Sequence, residues 1–339
     1  QNIGDSEHYS GTLEFAGNVV VGGNAGIWTN MKVDTGVEVS ILTDNFKNPD
    51  IEPPYITTVE NDGTIRITGG TSALSKKIQG TLDGEGNIVG GTLIIDANIK
   101  SNADYISSGS NIVTEGHTLT LTDGTILKKV DGSGAVAVDT TGIVDVTKEN
   151  EGLETAGGIN ITNGTLNILV QNIGVDVTAT DNGTISIVGK DNYGIPGDVN
   201  SDADVLTKTI TGGHIVINEL TAGTPVSITA DPAVLKAKDL TVNKNNTLIL
   251  TGGTLATEIK GSTGTEDTNT TFITGDLVSN VGIATKKIVL DTDGGEGHSL
   301  KIGAGHVGGE ITNKDGNSTY GIVTLTDISA GNNILDHKI

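Results

Sequence analysis

No cysteine occurs in this chain. A disulfide framework, a thiolate metal site and a cysteine nucleophile are therefore all excluded. An extracellular protein of this length without disulfides has to be held by hydrogen bonding and packing. Aromatic residues make up 3% of the chain, with Trp28 the sole tryptophan. That argues against a globular core on aromatic anchors and favours a narrow interior of stacked aliphatic side chains. Arg66 is the sole arginine, so a bidentate guanidinium clamp on phosphate or carboxylate is not expected. No segment reaches the ~18 apolar residues needed to cross a bilayer, so membrane insertion by this chain is not expected. No signal peptide is visible at Gln1-Asn2-Ile3-Gly4, which is no argument for the cytoplasm.

Helix signals are nearly absent too. The best is Asp231-Pro232-Ala233-Val234-Leu235-Lys236-Ala237-Lys238, with Asp231 as cap and Pro232 at the first helical position; a second is Ser72-Ala73-Leu74-Ser75-Lys76-Lys77. No Gly-x-Ser-x-Gly elbow, Walker loop or dinucleotide fingerprint is found.

The chain is rich in glycine, 49 of 339 residues, and in acid: 42 Asp and Glu against 20 Lys and Arg give a net charge of −22. Such a charge repels nucleic acid and anionic membranes and keeps an exposed surface soluble. It also favours divalent cations.

A short phrase recurs: Gly-Thr followed by an aliphatic, a polar and a second aliphatic residue. It reads Gly63-Thr64-Ile65-Arg66-Ile67, Gly91-Thr92-Leu93-Ile94-Ile95, Gly164-Thr165-Leu166-Asn167-Ile168 and Gly183-Thr184-Ile185-Ser186-Ile187. Looser copies begin at Gly11, His117, Gly213 and Asn246. Each is a turn signal followed by a period-two strand. The phrases return at intervals of about 17 to 30 residues, within the range of β-solenoid turns. The fold class expected is all-β, an elongated β-solenoid or β-helix-like repeat, with tandem antiparallel β-sandwiches as the alternative. Asp62-Gly63, Asp123-Gly124, Asn163-Gly164 and Asn182-Gly183 serve either as two-residue hairpins or as corners of a parallel solenoid. Ile65, Ile67, Leu93, Ile95, Leu166, Ile168, Ile185, Ile187, Leu248 and Leu250 are the expected core. Polar excursions at 45–54 and 190–204 divide the chain into an N-terminal β segment or cap, 1–57, and two β-repeat regions, 58–190 and 191–339.

The best ligand-like motif is Asp198-Val199-Asn200-Ser201-Asp202-Ala203-Asp204. Oxygen side chains of Asp198, Asn200, Asp202 and Asp204 stand at positions 1, 3, 5 and 7, the spacing that wraps a hard cation such as calcium. It resembles the loop of dockerin and EF-hand modules. It departs from them at the sixth position, Ala203 for glycine, and at the twelfth, Thr209 for an acid. Gly294-Gly295-Glu296-Gly297 resembles half of the calcium-binding nonapeptide of repeats-in-toxin proteins, with Ser299 where the aspartate stands. His8, His117, His214, His298, His306 and His337 form no pair at helical spacing. Asn163, Asn182, Asn245, Asn269 and Asn317 lie in Asn-x-Ser/Thr sequons.

Segments such as Ile161-Thr162-Asn163-Gly164-Thr165-Leu166-Asn167-Ile168 and Thr180-Asp181-Asn182-Gly183-Thr184-Ile185-Ser186-Ile187 carry a texture that resembles the passenger domains of type V autotransporters, in particular the rickettsial-type surface antigens. The likeness runs from about Gly63 to Ser329. It implies a secreted or cell-surface protein, structural or adhesive and non-catalytic, with host or cell-surface molecules or other copies of itself as partners. The family's other element, a C-terminal membrane barrel, does not follow Ile339 in this sequence, so the expectation is a passenger fragment, a processed product or a convergent likeness. The alternative from another class is a subunit of an extracellular filament or surface layer assembled by strand exchange, with Leu13 to Val21 or Gly321 to Ile328 as the exchanged strand. A polysaccharide-acting β-helix enzyme is the third reading. The lone arginine, and the failure of Gly116-His117-Thr118 and Gly305-His306-Val307 to match a Gly-His-Gly segment, count against it.

Overall fold

A computed structural model describes residues 3–4, 11–23, 25–48, 57–149, 151–189, 204–265, 267–291, 298–303, 306–313, 322–325 and 334–335. It is nearly all β: strands make up 53%, and the sheets are parallel. Among the described residues there is no α-helix. The helical pieces are 3₁₀ turns at Thr43–Asn45, Ala103–Tyr105, Val170–Asn172 and Pro232–Val234.

Both expected helices fail. Asp231 does cap, its carboxylate accepting from the Ala233 amide at 2.8 Å, but the turn it starts is Pro232–Val234 only. Leu235 is then drawn into a parallel pair with Ile210 and buried, which ends the helix before a second turn. Residues 72–76 form no helix and lead into the strand Lys77–Gly80, because Ile78 pairs with Val59 in the core.

The chain divides into two compact units, Gln1–Leu166 and Asn167–Ile339. In the first, one ladder runs Thr12–Phe15, Asn30–Val33, Thr58–Asn61, Lys77–Gly80, Ile106–Ser107. A second runs Val19–Val20, Glu38–Leu42, Thr64–Gly69, Thr92–Ile95, Ser110–Val113, Val130–Gly132. A third joins Ile99–Ser101, Thr118–Leu121 and Ala135–Val146. Successive strands step from one ladder to the next, so the first two ladders pair strands that are not neighbours in sequence. These pairings are parallel, which decides the turn question at Gly63 and Gly91: the phrases there follow corners, not two-residue hairpins, whereas Asn163-Gly164 lies inside the strand Ile159–Leu169.

The second unit repeats the plan. One ladder runs Gly183–Val188, His214–Asn218, Asp239–Val242, Glu258–Gly261, Ile283–Ala284, His306–Val307. Another runs Asp204–Leu206, Ser227–Ala230, Thr247–Leu250, Thr270–Ile273, Lys287–Leu290, Glu310–Asn313. A third pairs Gly253–Leu255, Leu277–Ser279, Ser299–Ile302 and Ile322–Leu325.

Parallel, in-register pairing sets like on like. In the first unit Val39, Ile65 and Leu93 form one inward row and Ile41, Ile67, Ile95 and Val113 the next, each with 0% exposure. In the second, Ile185, Ile215, Leu240, Ile259, Ile283 and Val307 are successive register partners, none more than 2% exposed. All ten expected core residues are buried. β-branched side chains suit this surface, and each fully buried one contributes about 1.5–3 kcal/mol.

The corners require their special residues. Gly36 and Gly124 take φ of 78° and 92°, where a side chain is strained. Gly63 is needed for space: a Cβ there would lie 2.3 Å from the Val37 carbonyl oxygen. Buried asparagines pin other corners. Asn45 donates to the Gly22 and Ala25 carbonyls at 3.0 and 2.6 Å while its oxygen accepts from the Leu42 amide at 2.9 Å. Asn246 accepts from the Val226 amide at 3.1 Å and donates to the Ile217 carbonyl at 3.2 Å.

Ile67→Ala in the stacked row is expected to lower the unfolding free energy by about 2–5 kcal/mol in urea titration, whereas Ile143→Ala, outward and 54% exposed, changes it by less than about 0.5 kcal/mol. Equal losses at both positions would contradict this assignment of inside and outside.

Candidate functional site

Of the four expected calcium ligands, Asp198, Asn200 and Asp202 lie outside the described residues; Asp204 opens the strand Asp204–Leu206 and is half-buried. Gly294 to Gly297 also lie outside them. Among the described residues no three of His, Cys, Asp and Glu converge as a metal site, and no helix is long and apolar enough to cross a membrane.

The parallel register does gather titratable groups on outward faces. In the second unit Thr184, His214, Asp239 and Glu258 are successive register partners. His214 Nδ1 lies 2.7 Å from Asp239 Oδ1, and Lys260 Nζ donates to Asp239 Oδ2 at 2.8 Å. Burial penalises the Asp239 charge, but the hydrogen bonds from Lys260 and His214 outweigh it and hold the carboxylate below its ordinary range. An imidazole oriented by a carboxylate is half of a nucleophile-activating relay. The missing half is the nucleophile: no hydroxyl among the described residues is hydrogen-bonded to His214.

In the first unit Thr114 Oγ1 lies 2.7 Å from Asp96 Oδ1 and 2.9 Å from His117 Nδ1, and Arg66 Nη1 lies 3.6 Å from Asp96. Here the hydroxyl sits between carboxylate and imidazole. A serine-protease-type relay needs the imidazole in the middle. Arg66 also binds Glu38 through Nε at 2.8 Å. The lone arginine thus ties three strands together on the sheet face.

The most perturbed group is Lys76. Its side chain is completely buried, and among the described residues its ammonium nitrogen has one partner, the Thr29 carbonyl at 2.6 Å. Burial alone pushes its pKa down from 10.5 to about 7. Trp28 Nε1 and Thr29 Oγ1, both buried, have no hydrogen-bond partner among the described residues. Alternation from the inward Ile78 places Lys76 inward and Lys77 outward, so a strict period-two reading points to the burial even though a lysine's charge argues against it.

The sequons divide. Asn269 is fully buried, its amide donating to the Ser262 carbonyl at 3.1 Å and accepting from the Lys286 amide at 2.8 Å, so it is closed to a glycan in the folded chain. Its position at the head of Thr270–Ile273, like Asn246 before Thr247–Leu250, is the mark of a corner pin.

Compared with protein-family models, curated proteins and solved structures, the chain matches none of them.

Between about pH 7 and 10.5 the unfolded chain binds a proton at Lys76 that the folded chain does not, so stability rises with pH across that window and falls toward its lower end. Lys76→Met is expected to raise stability at pH 7 by a few kcal/mol and to remove this slope, measured by urea unfolding at several pH values. An unchanged slope would show that Lys76 is not the group responsible.

Proposed function

We propose that this chain is a secreted or cell-surface scaffold of the β-solenoid kind, structural or adhesive and without catalytic activity, akin to an autotransporter passenger. The carrying observation is the set of parallel, in-register ladders in each unit. They turn aliphatic side chains into an inward stack and leave charged and hydroxylated side chains in outward rows. Such a scaffold needs neither disulfides nor aromatic anchors, and the chain has no cysteine and 3% aromatics. Its surplus of acid keeps a large outward surface soluble. Calcium is the cofactor assigned to it, with Asp198, Asn200, Asp202 and Asp204 as oxygen ligands.

A second reading, a filament or surface-layer subunit, is favoured by one feature. The strand Val19–Val20 ends its six-stranded ladder, pairs on one side with Glu38–Leu42, and leaves Val20 81% exposed. Among the described residues that edge has no second strand, and an unpaired apolar edge is a template for another strand.

Negative-stain images of the purified protein, with and without millimolar calcium, together with its binding to cell surfaces, test these readings. Isolated particles that bind cells are the expected result, with melting raised by calcium in the parent and not in Asp198→Ala/Asp202→Ala. Ordered filaments or sheets would favour the second reading. Release of reducing sugar from polysaccharides would contradict both.

A further inference from the structure

The outward face of the first unit carries a cavity of about 410 Å³ bounded by Thr58, Val59, Glu60, Gln79, Gly80, Thr81 and Leu82. Its floor is set by register: Thr58 stands beside Lys77 and Glu60 beside Gln79 on adjacent parallel strands. Its wall is the start of an excursion from Thr81 to Gly90, closed by the antiparallel bridge of Leu82 with Ile88. Leu82 is 47% exposed and gives that wall an apolar surface.

The polar side chains here differ from those on the same sheet nearby. Lys32, the register partner of Glu60, is bound to Glu14 at 2.7 Å and to Asp34 at 2.9 Å and so does not neutralise Glu60. Among the described residues, the side chains of Thr58, Glu60, Gln79 and Thr81 have no hydrogen-bond or ion-pair partner. One carboxylate, one carboxamide and two hydroxyls therefore face a recess large enough for a small ligand.

The inventory selects the ligand class. Glu60 only accepts; Gln79 and the threonines both donate and accept. A phosphate is repelled by Glu60. A cationic side chain satisfies Glu60 but offers no acceptor to the Gln79 amide or the two hydroxyls. A neutral polyol does both, because each ligand hydroxyl donates to the carboxylate and accepts from amide or hydroxyl, and its C–H face can lie against Leu82. We propose that this cavity binds a single sugar unit of a glycan, with Glu60 and Gln79 gripping neighbouring hydroxyls. The inference gives the adhesive reading a ligand class and rests on that reading for its biological use.

The test is saturation-transfer NMR on the full chain with methyl glycosides of glucose, galactose, mannose and N-acetylglucosamine, and with methylguanidinium as a cationic probe. Binding of at least one glycoside with a dissociation constant on the order of millimolar is expected. It should weaken at least about tenfold in Glu60→Ala and in Gln79→Ala, with melting unchanged because neither side chain is engaged in the fold. No transfer to any glycoside, transfer that persists undiminished in both variants, or a response to methylguanidinium alone would overturn the proposal. Cell binding by the parent distinguishes the two failures: if it survives while no glycoside binds, this inference falls and the adhesive reading stands.

Discussion

Everything in this structure depends on one constraint: parallel strands paired in register, about 4.8 Å apart, place equivalent side chains directly over one another. The backbone hydrogen bonds fix the spacing, and the aliphatic rows fill it. A one-residue slip would turn every inward side chain outward, so the rows and the register enforce each other. Polar intrusions at Asn45, Asn111 and Asn246 come with partners, whereas Trp28 Nε1 and Thr29 Oγ1 have none among the described residues. Asn111 occupies the place held by Leu93 on the neighbouring strand, and it bridges the Ser108 carbonyl and the Lys129 carbonyl at 3.1 Å each. Lys76 is buried with one hydrogen bond to its amine among the described residues.

The same register that builds the interior composes the outward face. Residues far apart in sequence become lateral neighbours: His214 meets Asp239 across 25 positions and Asp239 meets Lys260 across 21. Arg66 joins Glu38 and Asp96 in the same way. These rows are tied surfaces, with basic groups held by acids on adjacent strands. Individually such exposed pairs contribute little to stability. The cavity over Glu60 and Gln79 stands out because its polar groups are left over when the rows are satisfied. On the reading proposed above, a contact surface is what such leftover groups provide.

The inward rows were legible in the sequence because alternation leaves no ambiguity once a strand is recognised: Gly63-Thr64-Ile65-Arg66-Ile67 places Ile65 and Ile67 inside, and both are fully buried. The parallel pairing was legible only as one of two readings, since a Gly-Thr phrase marks a corner without saying where the chain goes next. The short helix expected after Asp231 was misread for a tertiary reason: capping is local, but the pairing of Leu235 with Ile210 is not. The lateral clusters were not legible at all. Their spacing depends on the length of each excursion, which varies, so no fixed interval announces them. The asparagine pins were not legible, because a buried amide at a corner and any other asparagine share the same letter.

The absence of cysteine makes the central claim directly testable. Thr64 and Thr92 are register partners on adjacent strands and both are half-buried, whereas Ile94 lies two residues further along the same strand and pairs with Arg66. Oxidation of Thr64→Cys/Thr92→Cys should give rapid, nearly complete disulfide formation within one chain, since adjacent parallel strands hold Cα atoms within bridging reach. The offset pair Thr64→Cys/Ile94→Cys should close slowly or not at all. Equal closure of both pairs, or preference for the offset pair, would contradict in-register parallel stacking.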